Sequence, residues 1–148
     1  MSIINSPFQL KKSQVNQLKI DKYDNISKFT SIMVDFGIDY RILEVDEDND
    51  SYYAWLELLF NIPGITENEE KSFDINLNML GIFECNKNAL NKEDFMNMLI
   101  VNGVSTLIQI SRSYITAITA LSGFEKPINL PMINVFELNK IKKSKEEI

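Results

Sequence analysis

The hydrophobic pattern of this chain changes its period at Cys85, and that change constrains the fold more than any other feature. Before Cys85, apolar residues recur at every second position over several segments, as in β-strands with one face on a core. After it they recur about every 3.6 positions from Phe95 to Leu121, as on an amphipathic helix. Strands followed by a helix favour an α+β architecture in which the helix packs on an antiparallel sheet.

Four segments have the alternation of strands, namely residues 8–20, 32–45, 52–62 and 71–83. The alternation is cleanest within the second segment, where every second residue from Val34 to Ile42 is apolar. In the first segment Phe8 and Leu10 are in phase but Val15 and Leu18 are out of phase, so a bulge or bend is expected. Pro63-Gly64 and the polar residues 66–70 predict a turn after the third strand. The sequence therefore predicts a four-stranded antiparallel sheet.

The connections and helices complete this prediction. Residues 21–31 are too many and too apolar for a hairpin loop, so this link is expected to cross over the sheet. Asn91 predicts the start of a long helix and Gly123 its end, with a bend at Gly103. A short final helix is expected from Asn134 to about residue 143. At 148 residues, the whole chain is predicted to form a single domain.

Composition excludes several classes of function. The net charge of −6 disfavours nucleic acid as a partner. There is no signal-peptide pattern and no apolar run of the length that spans a membrane, and Cys85 has no partner for an intrachain disulfide. We therefore expect a cytoplasmic protein that does not insert into membranes.

The chain contains no histidine, which is the usual acid–base catalyst at neutral pH and the commonest metal ligand. Together with the single cysteine, this excludes Ser-His and Cys-His catalytic sites and zinc sites built from those residues. The acidic residues 44–50 lack the spacing of a calcium loop. We predict no catalytic residues, no metal site and no cofactor, and hence a protein that is not an enzyme.

The third predicted strand is apolar on both sides, because Trp55 and Leu59 face away from Leu56 and Phe60. One long helix cannot cover both faces of a sheet, so the surplus apolar surface predicts an oligomer. Arg112, inside the apolar helix, is expected to pair with a carboxylate at a subunit interface.

Four parts of the sequence, in order, carry a family likeness. They are Phe8-Gln-Leu, Val34-Asp-Phe-Gly-Ile-Asp39, the run from Phe73 to the Gly-Ile-Phe ending at Phe83, and the Arg112 helix followed by Pro127-Ile-Asn-Leu-Pro-Met-Ile-Asn. Over nearly its whole length the chain resembles the SecB-type protein-export chaperones. The resemblance implies a homotetramer, built as a dimer of dimers with the long helices packed between the sheets. It also implies an ATP-independent holdase that binds unfolded or non-native polypeptides in an apolar groove.

The chain departs from this family where export chaperones use acidic residues to dock the translocase motor SecA. The matching positions are Gln17, Asp21 and Asn76, so Asp21 is the one acidic remnant and binding to SecA is expected to be weak or absent. SecB-like proteins also hold antitoxins in toxin–antitoxin systems, where no motor is needed. An antitoxin is therefore a second possible client beside unfolded export substrates.

The resemblance assigns the client groove to three parts of the chain: the crossover link, the second strand and the segment after the long helix. The residues concerned are Tyr23, Ile26, Phe29, Phe36, Ile38, Tyr40, Leu130, Met132, Ile133 and Phe136. The alternative for each of them is a place in the monomer core. The alternative for the function is an oligomeric adaptor or structural protein that binds one specific partner without general holdase activity.

Overall fold

The computed structural model describes residues 2–23 and 31–146. In this part of the chain an antiparallel sheet precedes the helices. The strands are β1 (Phe8–Lys22), β2 (Ile32–Val34), β3 (Gly37–Glu47), β4 (Ser51–Thr66) and β5 (Lys71–Asn86). A continuous helical segment follows, made of α1 (Lys92–Met98), a π-helical turn (Leu99–Gly103) and α2 (Val104–Leu121). The final helix, α3, is Val135–Glu146. The α+β prediction is confirmed.

The sheet has five strands rather than the predicted four, because the second strand is interrupted at Asp35 and Phe36. β2 and β3 both pair with β4 and keep one register, with Val34 opposite Gly64 and Gly37 opposite Asn61. Pro63 lies opposite the interruption. Its carbonyl oxygen accepts from the backbone N–H of Asp35 at 3.0 Å, but proline has no N–H to return the second ladder bond. The proline that predicted a turn therefore lies inside β4 and interrupts its neighbour.

β1 contains two irregularities, which explain its imperfect alternation. The register shifts once between Leu10 and Lys12 and again between Val15 and Gln17. Each extra residue reverses the phase, so that Leu10, Val15 and later apolar residues point to the same side of the sheet. The bulge expected from the sequence is confirmed, and there are two of them.

The strand order is β1-β5-β4, with β2 and β3 at the far edge. β1 and β2 are consecutive in sequence but lie at opposite edges of the sheet. The crossover predicted for the link between them falls mainly on residues 24–30, which are outside the described part of the chain.

One face of the sheet, called here the inner face, carries the core. Its buried centre includes Leu56, Leu58 and Ile62 of β4 and Ile75 and Leu77 of β5, each fully buried. The helices pack on this face through Phe95, Leu99, Val104, Leu107 and Ile115, which are also fully buried. The opposite face, called here the outer face, is not covered by any described element.

The helix boundaries follow the expected signals. Asn91 caps α1 by accepting from the backbone N–H of Asp94 at 2.8 Å. α2 ends at Leu121, and Gly123 follows with a φ of 78°, the left-handed conformation that glycine tolerates. The irregularity expected at Gly103 is the π-helical turn. No helix in residues 2–23 and 31–146 is long and apolar enough to span a membrane.

Candidate functional site

The β2 pocket is an open cavity of about 500 Å³ between β2 and the chain that follows α2. Its apolar wall on the sheet side is formed by Ile32, Val34 and Phe36. Phe73 of β5 forms part of its lining, and residues 124–129 form the opposite wall. The pocket therefore combines the second predicted strand with the segment after the long helix, which are two of the three parts assigned to the client groove.

An aromatic pair shapes the pocket. The rings of Phe73 and Phe124 meet edge to face, with their centroids 4.9 Å apart. Gly64 makes this arrangement possible, because a Cβ at that position would overlap the Phe73 ring. At the rim, the Nζ of Lys22 lies 4.8 Å from the centroid of Phe124 and donates to the Gly123 carbonyl at 3.0 Å. The pocket thus has a lining fixed by packing and polar contacts.

Hydrogen bonds from α2 hold the far wall in place. The Thr119 hydroxyl accepts from the backbone N–H of Ile128 at 2.9 Å, and the Thr116 hydroxyl donates to the Ile128 carbonyl at 3.1 Å. Arg112 donates through Nε to the Leu130 carbonyl at 3.1 Å and through a terminal nitrogen to the Pro131 carbonyl at 2.9 Å. The carboxylate partner expected for Arg112 at a subunit interface stays a prediction, because these contacts all lie within one chain. Within the chain, the guanidinium fixes the backbone that follows the pocket wall.

The described residues among those assigned to the groove divide into three groups. Phe36 lines the β2 pocket, and Ile38 and Ile133 are partly buried beside the core. Tyr23, Met132 and Phe136 are exposed, with 42%, 83% and 67% of their surface accessible. Tyr40 and Leu130 are buried in this chain, at 5% and 4%, so they act as core residues here. Ile26 and Phe29 lie outside the described residues.

The final helix covers part of the assigned surface. The Asn139 side chain of α3 accepts from the hydroxyl of Tyr40 at 2.6 Å and donates to the Ile100 carbonyl of the π-helical turn at 3.0 Å. Lys142 donates to the Asp39 carboxylate at 2.9 Å and lies 4.8 Å from the Tyr40 ring centroid. These contacts place α3 over β3, so the surface assigned to the groove is open at β2 and covered at β3.

The surroundings of α3 shift the pKa values of two side chains of β3, Asp39 and Tyr40. Burial raises the pKa of the Asp39 carboxyl. Hydrogen bonds from Lys142 and from the backbone N–H of Tyr40 lower it, and so do the charges of Lys142 and Lys145. The lowering effects outweigh burial, so the pKa lies below 3.8. Burial raises the pKa of Tyr40, and the charges of Glu146 and Asp39 raise it further. The Tyr40 hydroxyl therefore stays protonated and can donate to Asn139.

The three positions that match the motor-docking residues lie together on the outer face. Gln17 pairs with Asn78, Asn76 with Lys19, and Asp21 with Asp74 in the β1–β5 ladder. The Asp21 carboxylate lies 3.5 Å from the Lys19 ammonium. Asn76 accepts from the Asn61 side chain at 2.9 Å. The one acidic side chain is thus partly neutralised, and the other two positions present amides.

Sequence reasoning missed most of the pocket lining. Ile32 and Val34 lie in the segment that was recognised as a strand. Their alternation with Phe36 places all three on one face, and this pattern could have predicted the pocket wall. Phe124, directly after the helix-ending Gly123, was part of an apolar segment that no helix or strand pattern explained. No grouping of three or more acidic or cysteine side chains in the described part of the chain is arranged to hold a metal ion.

Comparison with known proteins supports the fold. No protein-family model matches the sequence, and no curated protein matches it. A SecB-like chaperone from Mycobacterium tuberculosis, solved in complex with an antitoxin peptide, has a similar structure, with a TM-score of 0.63 and 10% sequence identity. The match covers 86% of this chain and 91% of that one. The fold is therefore SecB-like.

A second solved structure is a protein of unknown function from Streptococcus agalactiae, with a TM-score of 0.49 and 14% identity. That match covers 84% of this chain and 97% of the other.

Proposed function

We propose that this chain is a SecB-like chaperone or adaptor that binds apolar segments of other polypeptides in the β2 pocket. The observation that carries the proposal is an open pocket of about 500 Å³ whose lining includes Phe36, a residue assigned to the client groove from sequence. A cavity of this size accepts one or two large apolar side chains rather than a folded domain. The lining is mainly apolar on the sheet side and includes Glu125, Lys126 and Asn129 on the opposite wall, which favours binding of a chain segment.

The type of client follows from the lining. Aromatic and aliphatic side chains provide apolar contact without a fixed hydrogen-bond pattern, which suits binding of varied sequences. The client is proposed to be an unfolded or non-native polypeptide, held without ATP. The antitoxin peptide bound by the structurally similar mycobacterial chaperone makes an antitoxin a reasonable client to test first.

Self-association belongs to the same proposal. α2 exposes Ala117 and Leu121 and leaves Ile110, Tyr114 and Ile118 partly buried, which gives an apolar helix face. The SecB-like fold suggests that this face packs between copies in a homotetramer. The second candidate function is a specific adaptor, which would use the same pocket for one partner alone.

The deciding experiment blocks the pocket without removing apolar surface. Ile32, 39% exposed at the rim, is replaced by Trp, whose larger side chain is expected to occupy the cavity. The matched control is Leu43→Trp, at an exposed bulge of β3 outside the pocket. Affinity for a fluorescent unfolded polypeptide is measured by anisotropy, and the fold is checked by circular dichroism.

Ile32→Trp is expected to weaken binding about tenfold or more, because the client loses burial of at least one large side chain, worth about 1.5–3 kcal/mol. Leu43→Trp is expected to bind as the native protein does. Equal affinity of the two folded variants would refute the pocket as the client site. Suppression of aggregation for several unrelated proteins supports the holdase, whereas capture of one partner supports the adaptor.

A further inference from the structure

The outer face of the sheet carries an apolar patch that no described element covers. Trp55 and Leu59 of β4 and Leu80 and Ile82 of β5 are partly buried there by their neighbours alone. They are separate from the core cluster, which lies on the inner face. At the centre of the patch Glu57 is 5% exposed and bound to Arg41, whose Nε donates to it at 2.6 Å.

The patch is bordered by opposite charges on its two sides. The β-ladders define one continuous row across the sheet: Lys12 opposite Ile82, Ile82 opposite Trp55, and Trp55 opposite Glu44. The row therefore reads basic, apolar, apolar, acidic from β1 to β3. Reversed, the same row reads acidic, apolar, apolar, basic.

A row with this order complements itself under a two-fold axis. An axis parallel to the strands and passing between β4 and β5 stacks two outer faces, with Trp55 of each copy over Ile82 of the other. The same rotation brings Lys12 of each copy over Glu44 of the other. Sheets pack about 10 Å apart with aligned strands, a gap that long Lys and Glu side chains can span.

The next row of the outer face consists of Gln14, Leu80, Glu57 and Arg41, so its two charges lie side by side on β4 and β3. The Arg41–Glu57 pair is internally neutral, so covering it does not bury an unpaired charge. A footprint as long as β3, which has 11 residues, and four strands wide covers about 700 Å² on each copy, within the usual range for stable interfaces.

We propose that the outer face is a contact between two copies of this chain, formed by sheet-to-sheet packing around Trp55 and Ile82 and oriented by Lys12 and Glu44. The contact is distinct from the α2 face, and it lies on the side of the sheet opposite the β2 pocket. It does not depend on the proposed chaperone function, since client binding through the pocket can succeed or fail separately.

The test uses paired charge reversals. Lys12→Glu places two acids against each other in a dimer, and Glu44→Lys places two bases, so each variant alone is expected to weaken association about tenfold or more at low salt. An equimolar mixture of the two variants restores opposite charges across the interface. Association in the mixture is therefore expected to return to the native level. Lys143→Glu, an exposed charge reversal on α3, is the matched control.

Two measurements report on the contact. Sedimentation velocity gives the assembly of each sample, and any association through α2 is common to all variants. Trp55 is the single tryptophan of the chain, so its emission reports on this face directly and is expected to shift to the blue as the native protein associates. Circular dichroism shows that each variant is folded.

Native emission that does not change with concentration would overturn the proposal. So would charge-reversed variants that associate as the native chain does, or a mixture that stays as weak as its components. A face that instead binds a different protein would give the first of these results.

Discussion

Asn139 is expected to hold α3 on the sheet, and removing its side chain tests this directly. Its amide joins three elements, since it accepts from Tyr40 of β3 and donates to the Ile100 carbonyl of the π-helical turn. The Ile100 carbonyl lies in the π-helical turn, where the hydrogen-bond spacing of the α-helix is interrupted. Truncation to Ala deletes both hydrogen bonds at once.

The size of the effect follows from these two bonds. Each contributes about 0.5–1.5 kcal/mol net, so Asn139→Ala is expected to lower the free energy of unfolding by about 1–3 kcal/mol. The Tyr40 hydroxyl, on a side chain that is 5% exposed, favours the upper half of this range if no water replaces the amide. Ala has a higher helix propensity than Asn by a few tenths of a kcal/mol, which offsets a small part of the loss.

The assay is urea unfolding followed by circular dichroism. Asn102→Ala is the matched control, because Asn102 is exposed and lies in the π-helical turn, where the gain in helix propensity is similar. A double-mutant cycle with Tyr40→Phe isolates the hydroxyl–amide bond. If Asn139→Ala is as stable as the Asn102→Ala control, or if the cycle shows no coupling, Asn139 does not anchor α3.

Three further outcomes are expected. Asp39 has a lowered pKa, so the stability that its ion pair with Lys142 provides is present above pH 3.8. This stability is lost as the pH falls through the lowered pKa. Asp39→Asn should therefore flatten that part of a plot of unfolding free energy against pH. Gly64→Ala should cost about 1–3 kcal/mol of stability and disturb client binding, because the new Cβ meets the Phe73 ring; a melting temperature equal to the native one would contradict this. Cys85 is buried and its thiol pKa is raised by burial, so a thiol reagent should modify it only on unfolding, and rapid labelling of the native protein would disprove that.

The sheet shows how much of the fold can be predicted from the alternation of apolar and polar residues. The segments that became β4 and β5 could be recognised because their buried face repeats every second residue without interruption. The break between β2 and β3 could not, because Val34, Phe36 and Ile38 keep the same phase across it. Its cause lies in Pro63, on a different strand, and depends on which residues face each other across the ladder.

The candidate site could be predicted only in part, because its lining also depends on contacts between distant parts of the chain. Alternation places Phe36 and Tyr40 on the same side of a strand, but it does not say which of them another element covers. In the structure the first lines the open pocket, and the second lies under α3 with its hydroxyl bound to Asn139. Leu130 was assigned to the groove by family likeness, and it is buried because Arg112 fixes its backbone against α2.

The hydrogen bond missing at Pro63 also separates the pairing of β2 from that of β3 along this edge of the sheet. β2 is joined to β4 by three residue pairs, whereas β3 has an unbroken run of pairs before its bulge. The short strand β2 forms one wall of the β2 pocket, so a small rotation of it would widen or narrow the cavity while the core stays in place. The amide of Met33 is accordingly expected to exchange its hydrogen faster than that of Leu58. A wall that adjusts in this way would let one rigid sheet accept apolar side chains of different bulk.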